Sequence, residues 1–281
     1  MWGVIGGSGF EKFDGFEVLE ILPRETPFGL ASSGFKRVRI NGEEALFLSR
    51  HGEHHELMPT EVNYRANTFA MKKHGAKAIV SFSAVGSLHQ PYKPGDMVVP
   101  TQYIDRTKGI RKHTFCGDGV VGHMSLAHPI CKSTVQKVQP MTKGLGFDCH
   151  FEKTYICIEG PNFSTQAESK TYRAAGADII GMTHFPEYAL IREAGLSYLP
   201  CCFVTDYDCW DDSIPHVTLE EVIRVMRQNN VKAFSLLKQI LASKNSLYEA
   251  CDCANQGLKN GLMTHEEFIP AAAREWLEVL R

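Results

Sequence analysis

The chain has 281 residues, with 30 Lys and Arg against 32 Asp and Glu and a formal net charge of −2. That length suits one large α/β domain with a sizeable core, and 43% hydrophobic with 22% charged residues excludes a largely disordered chain. The balanced charge supplies no field for a non-specific nucleic-acid binder, and no apolar run approaches the roughly 18 residues of a membrane helix. The N-terminal stretch MWGVIGGSGF lacks the basic and long apolar regions of a signal peptide. Nine Cys, an odd number, read as reduced thiols of a cytoplasmic protein rather than a secreted disulfide framework.

In chain order, Val4-Ile5 reads as a buried strand running into Gly6-Gly7-Ser8-Gly9. Residues 36–40 and 45–49 form a strand pair around Asn41-Gly42, a favoured two-residue hairpin. A helix is predicted over 61–74 and a buried strand over 78–83, broken at Gly86. Another strand begins at 96–99. A helix is expected within 125–142, limited by Pro129 and Pro140. Strands follow at 154–158, 178–182 and 197–205, with helices at 165–175 and 186–194. From Thr218 the pattern turns helical, over 218–243 and 264–280. Alternating strands and helices imply α/β architecture, a central sheet with helices on its faces. No repeat or linker divides the chain, so residues 1–281 read as one domain with a helical C-terminal portion, 218–281.

Several motifs carry polar chemistry. Gly6-Gly7-Ser8-Gly9 can converge backbone N–H groups and the Ser8 hydroxyl on an anion, or simply make a tight turn; neither the dinucleotide nor the Walker pattern fits. In Ser49-Arg50-His51-Gly52, Arg50 offers a planar fork for phosphate and His51 a further donor. The added His54 and His55 invite a metal, but no second ligand cluster lies at a useful spacing. The run 81–87 (SFSAVGS) places hydroxyls at a strand's carboxyl end, where open α/β sheets bind ligands. Glu159-Gly160-Pro161-Asn162-Phe163-Ser164-Thr165 presents an aromatic face for a flat heterocycle. It also opens a helix, with Ser164 or Thr165 as cap and Glu168 in the first turn. In Thr205-Asp206-Tyr207-Asp208, continued extension puts both carboxylates on one face. There they suit acid catalysis, a divalent cation or a helix cap. Cys251-Asp252-Cys253 lacks the spacing of a redox motif and an adjacent His cluster for zinc, and reads as two free thiols.

Taken in order, GGSG, SRHG, VNYRAN, SFSAVGSL, PGDMVVP, IDRT, EGPNFST, MTHFPE and TDYDCW resemble the methylthioadenosine phosphorylases of the purine nucleoside phosphorylase superfamily. The resemblance runs from about residue 3 to about 241. It implies a single α/β domain whose mixed, partly barrel-like sheet is surrounded by helices. It also implies phosphorolysis of S-methyl-5′-thioadenosine to adenine and 5-methylthioribose 1-phosphate. No cofactor or metal is implied, since inorganic phosphate is the second substrate. Carried onto this chain, Ser8, Arg50, His51, Ser83, the Ala84 N–H and Thr183 bind phosphate. Met182 lies against the ribose, and Phe163, Ser164 and Asp208 hold the purine. Asp206 is the catalytic acid. Leu219 and Val222 meet the 5′ group together with His123 from a neighbouring subunit of a homotrimer or dimer of trimers. The lid before the last long helix is 211–217. Asp rather than Asn at 206 points to 6-aminopurines; the alternative is a broad-specificity purine nucleoside phosphorylase acting on adenosine and inosine.

Overall fold

The computed structural model describes residues 1–10, 15–211, 213, 218–249 and 251–281. Two central strands carry no charged side chains: β1 (Trp2–Gly6) is buried throughout, and β7 (Ala78–Ser87) nearly so. Such runs suit strands covered on both faces. β1 lies parallel between β6 (Glu43–Ser49) and β7. β6 pairs antiparallel with β5 (Lys36–Ile40), and β5 with the edge strand β2 (Glu17–Ile21), which the sequence pattern did not reveal. A small separate hairpin joins β3 (Glu25–Thr26) to β4 (Gly29–Leu30). The β5–β6 turn is the one expected: Asn41 has φ 50° and Gly42 φ 87°, the doubly positive turn whose twist matches a two-residue hairpin.

On the other side of β7 the sheet curls on itself. β7 pairs with β11 (Ser197–Asp206), β11 with β8 (Met97–Arg106), β8 with β9 (Cys149–Ile158), and β9 with β10 (Ile179–Gly181). β10 then pairs antiparallel with the far end of β7 and closes a mixed barrel of five strands. The partly barrel-like mixed sheet expected from the resemblance is therefore present.

Helices cover this sheet. α1 (Tyr64–Lys73) packs on α4 (His184–Glu193) and α7 (Ala271–Leu280), and the long α5 (Leu219–Ala242) packs on β11. α2 (Lys132–Val138), α3 (Gln166–Ala174) and α6 (Leu258–Gly261) complete the set among the described residues. No helix among the described residues is long and apolar enough to cross a membrane.

Element boundaries differ from expectation for local reasons. The helix expected from 61 starts at Tyr64, because the Asn63 side chain accepts from the Ala66 N–H and so caps it. The strand expected to break at Gly86 runs on to Ser87. Within 125–142 only 132–138 is α-helical, and Pro140 opens a short 3₁₀ turn at Gln139–Thr142. Likewise 264–280 divides into a 3₁₀ turn at Glu266–Phe268 and α7, which follows Pro270. Thr165 is the cap of α3, with Glu168 reciprocating in a capping box.

Asn63 also donates to the Phe28 carbonyl at 2.8 Å, tying the β3–β4 hairpin to α1. Asn63→Ala removes both bonds and is expected to lower the free energy of unfolding by about 1–2 kcal/mol, measured by urea denaturation.

Candidate active site

The carboxyl ends of β1, β6, β7 and β11 open on one cavity of about 610 Å³. Gly7, at the end of β1, can be nothing else. A Cβ there would lie 2.4 Å from the Phe82 carbonyl oxygen and 3.1 Å from Arg50 Nη1. That absence of a side chain lets the Gly-rich turn lie against Arg50.

Arg50 is itself buried. Its Nε and Nη2 donate to the two oxygens of Glu187 at 2.6 and 2.9 Å, and Nη1 donates to the Phe82 carbonyl at 3.0 Å. A guanidinium has five N–H donors, so two remain for a ligand. Burial opposes the charge on Arg50, but Glu187 outweighs it and raises the Arg50 pKa. Burial likewise opposes ionisation of Glu187, and Arg50 outweighs it, holding the carboxylate below its usual value. Tyr198 Oη donates to Glu187 at 2.7 Å and fixes the carboxylate further.

His51 Nδ1 faces the Leu57 carbonyl at 2.8 Å and must donate to it. Burial, then the neighbouring Arg50 charge, lower the His51 pKa to about 4. The ring is neutral at pH 7, and its Nε2 is an acceptor rather than the donor the sequence suggested. Ser83 Oγ lies 3.0 Å from His184 Nε2 and 3.4 Å from Cys202 Sγ. His184 is fully buried, stacks on Tyr155 at 4.3 Å and meets Tyr103 Oη through Nδ1 at 3.1 Å. Burial pushes its pKa down to about 3. A neutral imidazole therefore fixes the Ser83 hydroxyl from behind.

At the opposite end, Asp206 closes β11. The bulge between Val204 and Asp206 ends the regular pairing with β7, and Asp208 takes a positive φ of 52°. Extension does not continue from Asp206 to Asp208, as the sequence reading assumed. The two carboxylates meet because the chain turns: the Asp208 N–H donates to Asp206 Oδ1 at 2.8 Å. Thr205 Oγ1 donates to Asp206 Oδ2 at 2.7 Å. Burial nevertheless raises the pKa of Asp206, and burial followed by the Asp206 charge raises that of Asp208. Asp208 Oδ2 and Ser164 Oγ are buried without a hydrogen-bond partner. Gly86 faces this pair, where a Cβ would lie 3.0 Å from Asp206 Oδ1 and from Ile180 Cγ2.

The cavity thus gathers Ser8, Arg50, His51, Ser83, Ala84, Phe163, Ser164, Met182, Thr183, Asp206, Asp208 and Val222. Phe163 is 63% exposed at its rim. Leu57, Met58 and Pro59 line it with Val222, Ile223 and Met226 of α5 and form an apolar end. His123 is elsewhere, exposed on a separate groove of about 300 Å³ beside His128 and Arg192. The Leu219 side chain and most of the 211–217 lid fall outside the described residues.

Sequence reasoning missed the frame behind these groups. Glu187 shares α4 with His184, Arg192 and a second acid, Glu193, so nothing local singles it out. Arg111 gave no motif at all. It donates to Glu159 Oε1 at 2.6 Å and to the Glu159, Met182 and Phe185 carbonyls at 2.9, 2.8 and 2.6 Å. Arg111 therefore pins together the turns that carry Phe163 and Thr183.

Comparison with known proteins agrees with this geometry. Residues 2–242 match the family model described as the phosphorylase superfamily. An S-methyl-5′-thioadenosine phosphorylase of Geobacter sulfurreducens is 41% identical over 278 residues, covering 99% of this chain and 96% of that protein. One from Rhodospirillum rubrum is 44% identical, covering 94% and 90%. The chain belongs to the methylthioadenosine phosphorylase family of the phosphorylase superfamily. Among solved structures, a methylthioadenosine phosphorylase from an Antarctic soil metagenomic library superposes with a TM-score of 0.90 at 40% identity, covering 100% of this chain and 98% of that one. The Schistosoma mansoni methylthioadenosine phosphorylase in complex with adenine gives 0.80 at 35% identity, covering 87% and 92%.

The strongly depressed imidazoles of His51 and His184 contribute to the acid response of this member of the family. Below pH 6.5 the unfolded chain protonates His51 and His184 while the folded chain does not, so the unfolded state binds more protons and stability rises with pH. That dependence extends from about pH 6.5 down to about 4 for His51 and about 3 for His184. In urea titrations, His184→Gln is expected to reduce the slope of unfolding free energy against pH by up to about 1.4 kcal/mol per pH unit in this window.

Proposed function

We propose that the chain is an S-methyl-5′-thioadenosine phosphorylase, with all 281 residues acting as one phosphorylase domain. The observation that carries the reading is a single cavity with two chemically opposite ends. One end has the free N–H groups of Arg50 among hydroxyls, and the other has two carboxyls with raised pKa values.

Phosphate sits between Arg50, Ser8, Ser83, Thr183 and the Ala84 N–H. His51 Nε2, an acceptor, takes a hydrogen bond from a phosphate O–H. The nucleoside lies across Met182, with its base beneath Phe163. Breaking the N-glycosidic bond leaves positive charge on the sugar and negative charge on the purine. Phosphate stabilises the first charge and attacks the same carbon from the opposite face. Asp206, whose pKa burial raises, gives a proton to N7 as the bond breaks. The unpartnered Asp208 Oδ2 accepts from the exocyclic 6-amino group. The unpartnered Ser164 Oγ gives the base a further polar contact.

The apolar end by Val222 and Met58 takes the methylthio group, together with Leu219. His123 reaches the corresponding site of a neighbouring subunit, in a homotrimer or a dimer of trimers. The chemistry uses no cofactor or metal, only inorganic phosphate as co-substrate, and the enzyme works in the cytoplasm on small molecules.

Asp206→Asn is expected to lower kcat for methylthioadenosine by about 10²–10⁴-fold, the range for a positioned general acid. Inosine, which presents an acceptor to Asp208 where adenine presents a donor, is expected to be a poor substrate of the wild type. Equal turnover of inosine and methylthioadenosine would favour a broad purine phosphorylase, and undiminished adenine release by Asp206→Asn would remove that residue from the mechanism.

A further inference from the structure

Away from the cavity, the fold brings together three sulfurs that are far apart in sequence. Cys131 begins α2, while Cys251 and Cys253 flank Asp252 after α5. Their Sγ atoms all lie within 4.8 Å of one another. Cys131 and Cys253 are 6% and 3% exposed, and Cys251 is half-buried at the mouth of the cluster.

Hydrogen-bonding groups surround two of the three sulfurs. Arg192 Nη1 donates to Cys253 Sγ at 3.3 Å. Thr134 Oγ1 and Ser133 Oγ lie 3.1 and 3.4 Å from Cys131 Sγ. Arg192 is buried and its Nε has no hydrogen-bond partner. Its Nη2 donates to Gln256 Oε1, and negative charge on the Cys253 sulfur would compensate the buried cation further. Asp252 shares the field of Arg192 but is not a ligand, because its carboxylate accepts from Asn255 Nδ2 at 2.7 Å and Gln256 Nε2 at 3.2 Å.

We propose that Cys131, Cys251 and Cys253 form a binding site for one thiophilic divalent ion of the zinc class. The ligand set is sulfur alone, which selects against Mg²⁺ and Ca²⁺. Charge distinguishes the remaining candidates. Three thiolates and a divalent ion leave one negative charge, which Arg192 balances; a monovalent copper would leave two. Zinc–sulfur bonds of about 2.3 Å set tetrahedral sulfurs about 3.8 Å apart, so the cluster contracts by about 1 Å or less. Cys251, at the mouth, leaves the fourth position to water.

Bound there, the ion clasps the start of α2 to the segment after α5. Arg192 also lines the groove that carries His123, so the clasp steadies the floor of that groove. None of the three cysteines lines the larger cavity, and the site does not rest on the catalytic reading.

The test uses untagged, full-length protein, reduced and stripped by a chelator, then titrated with Co²⁺ and afterwards Zn²⁺. One Co²⁺ per chain is expected, with a sulfur-to-cobalt charge-transfer band in the near ultraviolet that Zn²⁺ abolishes. The apparent melting temperature should rise with Zn²⁺ and fall again with chelator. Cys131→Ser and Cys253→Ser should each weaken Co²⁺ binding at least tenfold, while Cys149→Ser should not. Absence of the band in fully reduced protein would overturn the proposal, as would a band that survives in the triple Cys→Ser variant. A disulfide within the cluster of anaerobically prepared protein, with no cobalt uptake after its reduction, would also overturn it.

Discussion

The buried ion pair between Arg50 and Glu187 is the constraint around which the site is built. Arg50 follows β6, Glu187 sits in α4, and Phe82 lies in β7, so one guanidinium ties three elements together. Such a pair adds little net stability, because desolvation consumes most of the Coulomb gain. Losing one partner still costs about 3–5 kcal/mol, since a bare charge remains. What the pair supplies is placement. Glu187 consumes two of the five N–H donors and the Phe82 carbonyl a third, leaving two in a fixed position toward the cavity. A ligand anion then meets a cation whose ordering was completed during folding.

The same logic repeats in the supporting groups. His184 is neutral because it is buried, and so it serves the Ser83 hydroxyl without adding a charge. Arg111 is charged and buried but spends its donors on Glu159 and on backbone carbonyls. Asp206 receives two hydrogen bonds and is still pushed toward its protonated form, because burial outweighs them. Burial and hydrogen bonding thus bias the charge state of each of these groups before any ligand arrives.

How much of this was legible depended on whether the signal was local. The Asn41-Gly42 hairpin, the Thr165 cap and the buried strands each leave a short-range pattern, and they lie where the pattern placed them. Edge strand β2 does not, because its mostly exposed residues carry no apolar alternation. Barrel closure by β10 on β7 is a long-range pairing of only two residues and leaves no periodic trace. Ordered motifs delivered the cavity residues. The groups behind them, Glu187, Arg111 and Tyr198, are fixed by tertiary contacts alone. Asp206 and Asp208 were paired correctly for a partly wrong reason: a turn, not strand alternation, joins them. The third sulfur beside the Cys-x-Cys pair was invisible because 120 residues separate Cys131 from Cys251.

The central claim is that phosphate itself is the attacking group. Incubating the protein with methylthioadenosine and phosphate labelled with ¹⁸O, then following the reaction by ³¹P NMR, reads this directly. The account predicts adenine and a sugar 1-phosphate that retains labelled oxygen in the bridge to carbon, formed only when phosphate is present. Free methylthioribose beside unchanged phosphate, at a rate independent of phosphate concentration, would contradict it.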